Sequence, residues 1–369
     1  MAEPAPGGRP AARITCIAHP RFRGRIAERL AALGVASVRV ENARCVRQRV
    51  RARRWRLPEP KVRLEDAPAE IYRATVARPA AVGVLGALTR AADLDTPGRG
   101  SLFVQDILEF GPDTPLAAAG GAPAPARMLL DLALVTAIVS KAGSGEQVAR
   151  SALRLGAGVP VIGLGEGTGI RDRLGLLRVT IPPEKEVVHL VVPRDDAGTI
   201  ERLLIEDARM DRPGGGFLYR TPIRAGLTDP MLRIGPQDRA ASIEQLVAAI
   251  DELKAGTGWR RRHADPATAA GELPGRPDGY REIVFVCLEG EADSRIRAAM
   301  RAGAGGATTT RVHGLGGGFE GGAAALERGV LCVPAGAAER VVDALRADGP
   351  VQVEMLEAPS AFAYARMRA

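Results

Sequence analysis

Three times along the chain an apolar strand-like run is followed by an amphipathic helix that stops at a glycine, and the three stretches have nearly the same length. Ile14 to Gly34 spans 20 residues, Val135 to Gly156 spans 21, and Ile283 to Gly303 spans 20. Glycine just past the last periodic residue ends a helix because it enters the left-handed conformation without steric penalty. A fixed spacing of this kind marks repeated supersecondary units that bury their apolar faces on one another. The three units also continue alike beyond that glycine. In the first unit the alternation predicts strands at 14–18, 35–40, 70–76 and 102–107, with helices at 21–33 and 79–92. The second has strands at 134–140, 159–164 and 184–192, helices at 145–155 and 197–210, and a last strand after residue 216. The third has strands at 283–288, 307–312, 330–333 and 351–356, with helices ending at Met300 and Leu345.

The order β-α-β-β-α-β is the split βαβ, or ferredoxin-like, arrangement, so the expected fold class is α+β. The divisions are a flexible tail at 1–12, a first module at 13–112 and a linker rich in Ala, Gly and Pro at 113–128. A second module comes next at 129–228, then a connector at 229–279 with one helix over 242–254, and a third module at 280–369. A ferredoxin-like unit leaves one sheet face open. Three such faces bury one another around a threefold axis, which makes the expected architecture an intramolecular pseudo-trimer.

Hydrophobic residues make up 46% of the chain but aromatics only 4%, so the cores are built mainly from Ala, Val, Leu and Ile. The net charge of +8 is local: residues 44–63 hold nine Arg or Lys against one acid, Glu59, which equals the whole excess. That disfavours a uniformly basic nucleic-acid binder, although arginines clustered around Trp55 also suit a polyanion. Cys16, Cys45, Cys287 and Cys332 lack metal-ligand spacing, and three of them lie in strand-like runs as small buried hydrophobes. His19, His189, His263 and His313 are scattered, no Ser-His-Asp or Cys-His constellation exists, and no enzyme is expected. The opening MAEPAPGGRPAA lacks the apolar core of a signal peptide, and no apolar run is long enough to cross a bilayer. The expected location is cytoplasmic.

Two glycine loops stand between a helix and a strand: Gly98-Arg99-Gly100 and Gly214-Gly215-Gly216. Glycines this dense let consecutive N–H groups converge on an anion such as phosphate. The same residues also suit a tight helix-to-strand turn and nothing more. A third glycine-rich run, Gly163-Leu-Gly-Glu-Gly-Thr-Gly169, fails the dinucleotide spacing and is read as a loop, either mobile at the surface or near a nucleotide. Glu184 and Glu186 straddle Lys185 at a strand start and share one side, where they meet a ribose, a neighbouring module or solvent.

In the middle unit Ala137-Ile-Val139, Gly143-Ser-Gly-Glu146, Gly156-Ala-Gly158, Gly167-Thr-Gly169, Glu184-Lys-Glu-Val-Val188 and Pro213-Gly-Gly-Gly216 occur in that order. In the first, His19-Pro-Arg-Phe22, Arg47-Gln-Arg49 and Gly98-Arg-Gly-Ser-Leu-Phe-Val-Gln-Asp106 occur. This set resembles the P-II signalling family, whose members are normally homotrimers of a ferredoxin-like subunit. The third unit is similar in topology and register only, as a degenerate module would be.

The resemblance implies an effector-sensing regulator rather than a catalyst, with ATP or ADP in clefts between neighbouring modules. It implies that Gly98, Arg99, Gly100 and Ser101 face phosphate in one cleft, with Arg47 reaching the same group. Gly167, Thr168, Gly169, Gly214, Gly215 and Gly216 would belong to another. Gln48 stands where the family's glutamine helps bind magnesium and 2-oxoglutarate; whether Mg²⁺ accompanies the nucleotide here is left open. The long basic loop 44–67 corresponds to the family's T-loop and would dock on a protein partner, a membrane transporter or a metabolic enzyme, in nitrogen or inorganic-carbon metabolism. Several positions depart from the pattern. The family lysine after the glycines is Ser101 in one unit and Phe217 in the other, with Arg99 as a substitute charge in the first and Arg212 and Arg220 nearby in the second. Val46 replaces a glycine, no tyrosine lies between 44 and 67, and the third unit offers only Gly349-Pro350, so its cleft face is expected to bind nothing. One rival reading is a scaffold or adaptor whose degenerate modules hold no nucleotide; a second is a slow nucleotide hydrolase, for which the sequence offers no catalytic base.

Overall fold

The computed structural model describes residues 7–50, 62–96, 98–111, 115–118, 122–125, 128–140, 143–155, 157–169, 184–212, 214–229, 279–315 and 325–363. The tip of the basic loop (51–61), the side chain of Gln48 and the connector helix expected at 242–254 lie outside the described residues. The first unit runs β1 (Arg9–Ala18), α1 (Arg23–Ala32), β2 (Val38–Val50), β3 (Val62–Val76), α2 (Ala81–Ala92) and β4 (Gly100–Phe110). The second runs β5 (Leu129–Val139), α3 (Ser144–Arg154), β6 (Val161–Gly169), β7 (Glu184–Pro193), α4 (Arg194–Asp207) and β8 (Phe217–Leu227). The third runs β9 (Tyr280–Leu288), α5 (Ala292–Arg301), β10 (Gly306–Leu315), β11 (Ala325–Pro334), α6 (Ala338–Arg346) and β12 (Gln352–Ala358), and a short β13 (Ser360–Ala363) comes after it. β1 starts at Arg9, inside the stretch read as tail, because residues 9–12 pair along β4 and Arg9 meets Glu109 at 2.7 Å.

Each helix stop is made the same way. The N–H after the stop returns to a carbonyl five residues back: Val35 to Leu30, Ala157 to Ala152 and Ala304 to Ala299, each at 3.0 Å. This is the six-to-one bond of a glycine C-cap, with Gly34 and Gly303 at φ +69° and +115°. The second helices of the first two units share another cap. Asp93 and Arg209 both sit at φ +53°, and Leu94 and Met210 bond back to Thr89 and Ile205 at 2.9 Å.

All strand pairings are antiparallel, and the order within each unit is the same: β4-β1-β3-β2, β8-β5-β7-β6 and β12-β9-β11-β10. Pairings between units join these into one thirteen-stranded sheet. β2 pairs with β6, β10 pairs with both of them, β4 pairs with β8 and with β12, and β13 extends β8. These pairings satisfy strand edges of each unit with strands of another.

Strand β1 shows why its residues alternate as they do. Ala12, Ile14, Cys16 and Ala18 point into the core beneath α1 and α2, with Ile26, Leu30, Val84 and Leu88. Arg13, Thr15 and Ile17 face the other way, yet they too are buried. Similar helix-covered cores lie in the second unit around Val135, Val188 and Leu204, and in the third around Phe285, Ile296 and Val341. On the opposite faces the units meet along a polar interior. There Arg13 reaches Glu282 at 2.7 Å and Gln105 at 2.8 Å, Tyr219 donates to Glu282 at 2.7 Å, and Arg73 pairs with Glu41 at 2.5 Å. A cavity of about 20 Å³ lies among these groups. Burial pushes the Glu282 carboxyl up, but Arg13 and Arg328 more than offset this and leave it below its ordinary value. His189, enclosed there beside Arg73, is pushed down to about 3, chiefly by burial.

Cys16, Cys45 and Cys287 are buried and Cys332 half-buried, all four lie in strands, and none is in a disulfide. Burial raises the Cys16 and Cys287 thiols to about 12, which makes them inert as nucleophiles. No helix among the described residues is long and apolar enough to cross a membrane.

Candidate functional site

The shared cap after α2 and α4 delivers both glycine loops into the first residue of a strand in the same geometry. Gly98 and Gly214 take φ +85° and +75°, and Gly100 and Gly216 take +146° and +141°. At the second of these positions only glycine fits. A Cβ on Gly100 would stand 1.9 Å from the Ile17 carbonyl oxygen, and one on Gly216 would stand 2.6 Å from that of Ile138. The Gly214 position is different, because nothing lies within 4 Å of where its Cβ would be.

Gly214 lines a cavity of about 410 Å³ at the junction of the second and third units. Gly214, Gly216 and Phe217 form one side and Gly167, Thr168 and Gly169 another, while Gly306, Ala307 and Thr308 of β10 close it from the third unit. Ile138, Val330 and Cys332 give it an apolar part. Gly215 does not line it, since its α-carbon is turned back against Arg209 and Met210. The 163–169 run, expected as a loop, is the body of β6. Its backbone is held by two partners, β7 (Gly163↔Val187) and β10 (Gly167↔Thr308, Gly169↔Gly306), and strand partners from another unit override the local glycine preference.

Lys185 enters the same cavity, a site residue that the sequence pattern alone does not single out. Its stem lies over Gly167, where a Cβ would come within 2.3 Å of Lys185 Cε. The available signal is the strand alternation itself, which turns Lys185 to the face opposite Glu184 and Glu186. Glu186 is used on that opposite face: it accepts the Gly145 N–H at the start of α3 at 2.8 Å and meets Arg44 of the first unit at 3.4 Å. Among the described lining residues Lys185 is the one formal charge and none is a carboxylate. The Thr168 and Thr308 hydroxyls and an ammonium suit an anion, and the apolar part suits a flat ring. Its volume is within the range of small-ligand pockets, about 300–1,000 Å³.

The first loop closes differently. The Gly98 N–H donates to Asp229 Oδ1 at 2.9 Å, and Arg47 reaches Asp229 Oδ2 at 3.2 Å. Ser101 Oγ accepts the Asp229 N–H at 3.1 Å, and the Asp229 carbonyl accepts the Val159 N–H at 3.2 Å. Asp229 is 3% exposed. Arg47, Gly98 and Ser101 thus converge on one carboxylate-bearing residue. Arg99, expected to replace the missing lysine charge, is instead held against Asp93 at 3.5 Å and over the Phe22 ring at 5.6 Å. Arg220, near the second loop in sequence, pairs with the buried Glu201 at 3.3 Å. In the third unit Arg295 ties down the end of α6 through the Leu345 carbonyl at 2.8 Å. The Gly349-Pro350 pair beyond it leads into β12, and Pro350 has no N–H to offer an anion. Among the described residues no group of three or more His, Cys, Asp or Glu is arranged to hold a metal ion.

No protein-family model matches the chain, and no curated protein matches it. Among solved structures, B. subtilis GlnK is similar over 27% of this chain and 88% of its own, at 17% identity and a TM-score of 0.23. The B. subtilis GlnK–ATP complex is similar over 27% of this chain and 86% of its own, at 16% identity and a TM-score of 0.24. Likeness at this level bears on neither ligand nor partner.

Proposed function

We propose that the chain is a P-II-like regulator whose three modules pack as an intramolecular pseudo-trimer and sense an adenine nucleotide, ATP or ADP, between the second and third modules. The observation that carries this reading is the cavity of about 410 Å³ under the second glycine loop, with Lys185 its one formal charge among the described lining residues. Phosphates would lie against Gly214, Gly216, Thr168 and Lys185, and the base against Ile138, Phe217 and Val330. Glycine at 167 gives the Lys185 stem its path into this space. Nothing in the reading requires bond-breaking chemistry. Much of the basic stretch 44–67, expected as a loop, is the hairpin of β2 and β3 as far as the pair Val50↔Val62, and this arm would dock on a protein partner.

Calorimetric titration of the full chain with ATP, ADP and AMP tests the reading. Saturable binding that weakens about tenfold in Lys185→Ala is expected, a change of about 1.4 kcal/mol. Absence of binding at millimolar nucleotide would remove it. Partner capture from extract with and without ATP then identifies what the loop contacts.

A further inference from the structure

We propose that Asp229 is an internal anion seated in the phosphate position of the first glycine loop, so that this loop takes a phosphate-bearing ligand only when residue 229 is withdrawn. The proposal rests on the reading that these glycine loops are anion cradles, and it concerns the regulation of one of them.

The contacts that fix Asp229 include four from elements of two units. Oδ1 accepts the Gly98 N–H and Oδ2 meets the Arg47 guanidinium. Its own N–H and C=O are bonded to Ser101 and Val159. A turn amide beside a glycine and a guanidinium opposite it make the donor set that a phosphate oxygen pair would use. A carboxylate satisfies the same donors with one negative charge. The residue stands two positions after the end of β8, so the chain itself delivers it, and a tethered group competes at an effective concentration of about millimolar or more. The second loop has the same backbone geometry at Gly214 and Gly216 but no carboxylate among the described residues lining its cavity. Among the described residues the difference between the two cradles therefore lies in Asp229, not in the loops.

The test is a calorimetric titration of the full chain with inorganic triphosphate, comparing the wild type with Asp229→Ala, Asp229→Asn and the double variant Asp229→Ala/Arg47→Ala. The readout is the increment over wild type in triphosphate bound per chain. Asp229→Ala is expected to add one site, and the double variant to lose it again. Asp229→Asn keeps the side-chain shape and the backbone bonds and loses the charge; it is expected to show the same added site at lower affinity, and it serves if the Ala variant fails to fold. An unchanged stoichiometry in the folded variants overturns the proposal, as does a wild type that already fills both loops. Titration of the wild type with ATP reports the open cleft separately. An increment without wild-type nucleotide binding supports Asp229 as the internal anion and removes the nucleotide reading, and the reverse pattern does the opposite.

Discussion

The loops at Gly98–Gly100 and Gly214–Gly216 come after the same helix cap, bend at the same two positive-φ positions and enter equivalent strands. One nevertheless closes on the Asp229 carboxylate and the other on a cavity of about 410 Å³. The backbone cradle is a local product of helix capping and two glycines. Its occupant is decided by chain that arrives from another unit.

The sharpest way to break the comparison is to attack the geometry that both loops share. Gly216→Ala is expected to cost about 3 kcal/mol, because a Cβ must enter both a left-handed conformation and the space of the Ile138 carbonyl. Gly214→Ala, with open space at its Cβ, is expected to cost only about 1 kcal/mol. Equal melting temperatures for the two variants would show that the turn is not the rigid element described. The Asp229 contact comes next. Asp229→Ala is expected to lower unfolding free energy by about 2 kcal/mol, because it leaves Arg47 and the Gly98 N–H without their carboxylate. Chemical denaturation measures this, and added triphosphate is expected to restore part of the loss.

Acid is expected to act on neither loop directly but on the buried polar interior where the units meet. His189 is neutral in the folded protein, with its pKa pushed down to about 3, whereas an unfolded histidine titrates near 6.5. The unfolded chain therefore binds more protons below pH 6.5, and stability falls as pH falls through that value. Between pH 7 and pH 5 the loss from this group is about 2 kcal/mol, and His189→Asn should flatten that part of the profile. The smallest effect separates the loops again. Lys185→Ala is expected to leave the melting temperature within a degree or two, roughly a change under 0.5 kcal/mol, while nucleotide affinity drops. A large loss of stability would instead make Lys185 a structural residue of β7.

Much of this arrangement is legible in the sequence because it is made by short-range rules. The stops at Gly34 and Gly303, the alternation of β1 and the two glycine turns arise from neighbours in the chain. The glycine run 163–169 misleads for the complementary reason. Its backbone groups are satisfied by β7 and β10, and β10 lies more than a hundred residues away. Asp229 is hidden likewise, since nothing near it in sequence links it to Gly98 or Arg47. Lys185 is visible, but in the sequence it is only the residue between two glutamates. Its role depends on the bare backbone of Gly167 beneath it, a contact that exists only once β6 and β7 pair.

All thirteen strands of the sheet belong to one covalent chain. In an assembly of identical subunits a single codon change is copied into every position of the ring. Here it alters one position, so Ser101 and Phe217, or Gly100 and Val351, are free to drift apart in separate directions. The seams can specialise one at a time, and a seam that loses its guest leaves its neighbours intact.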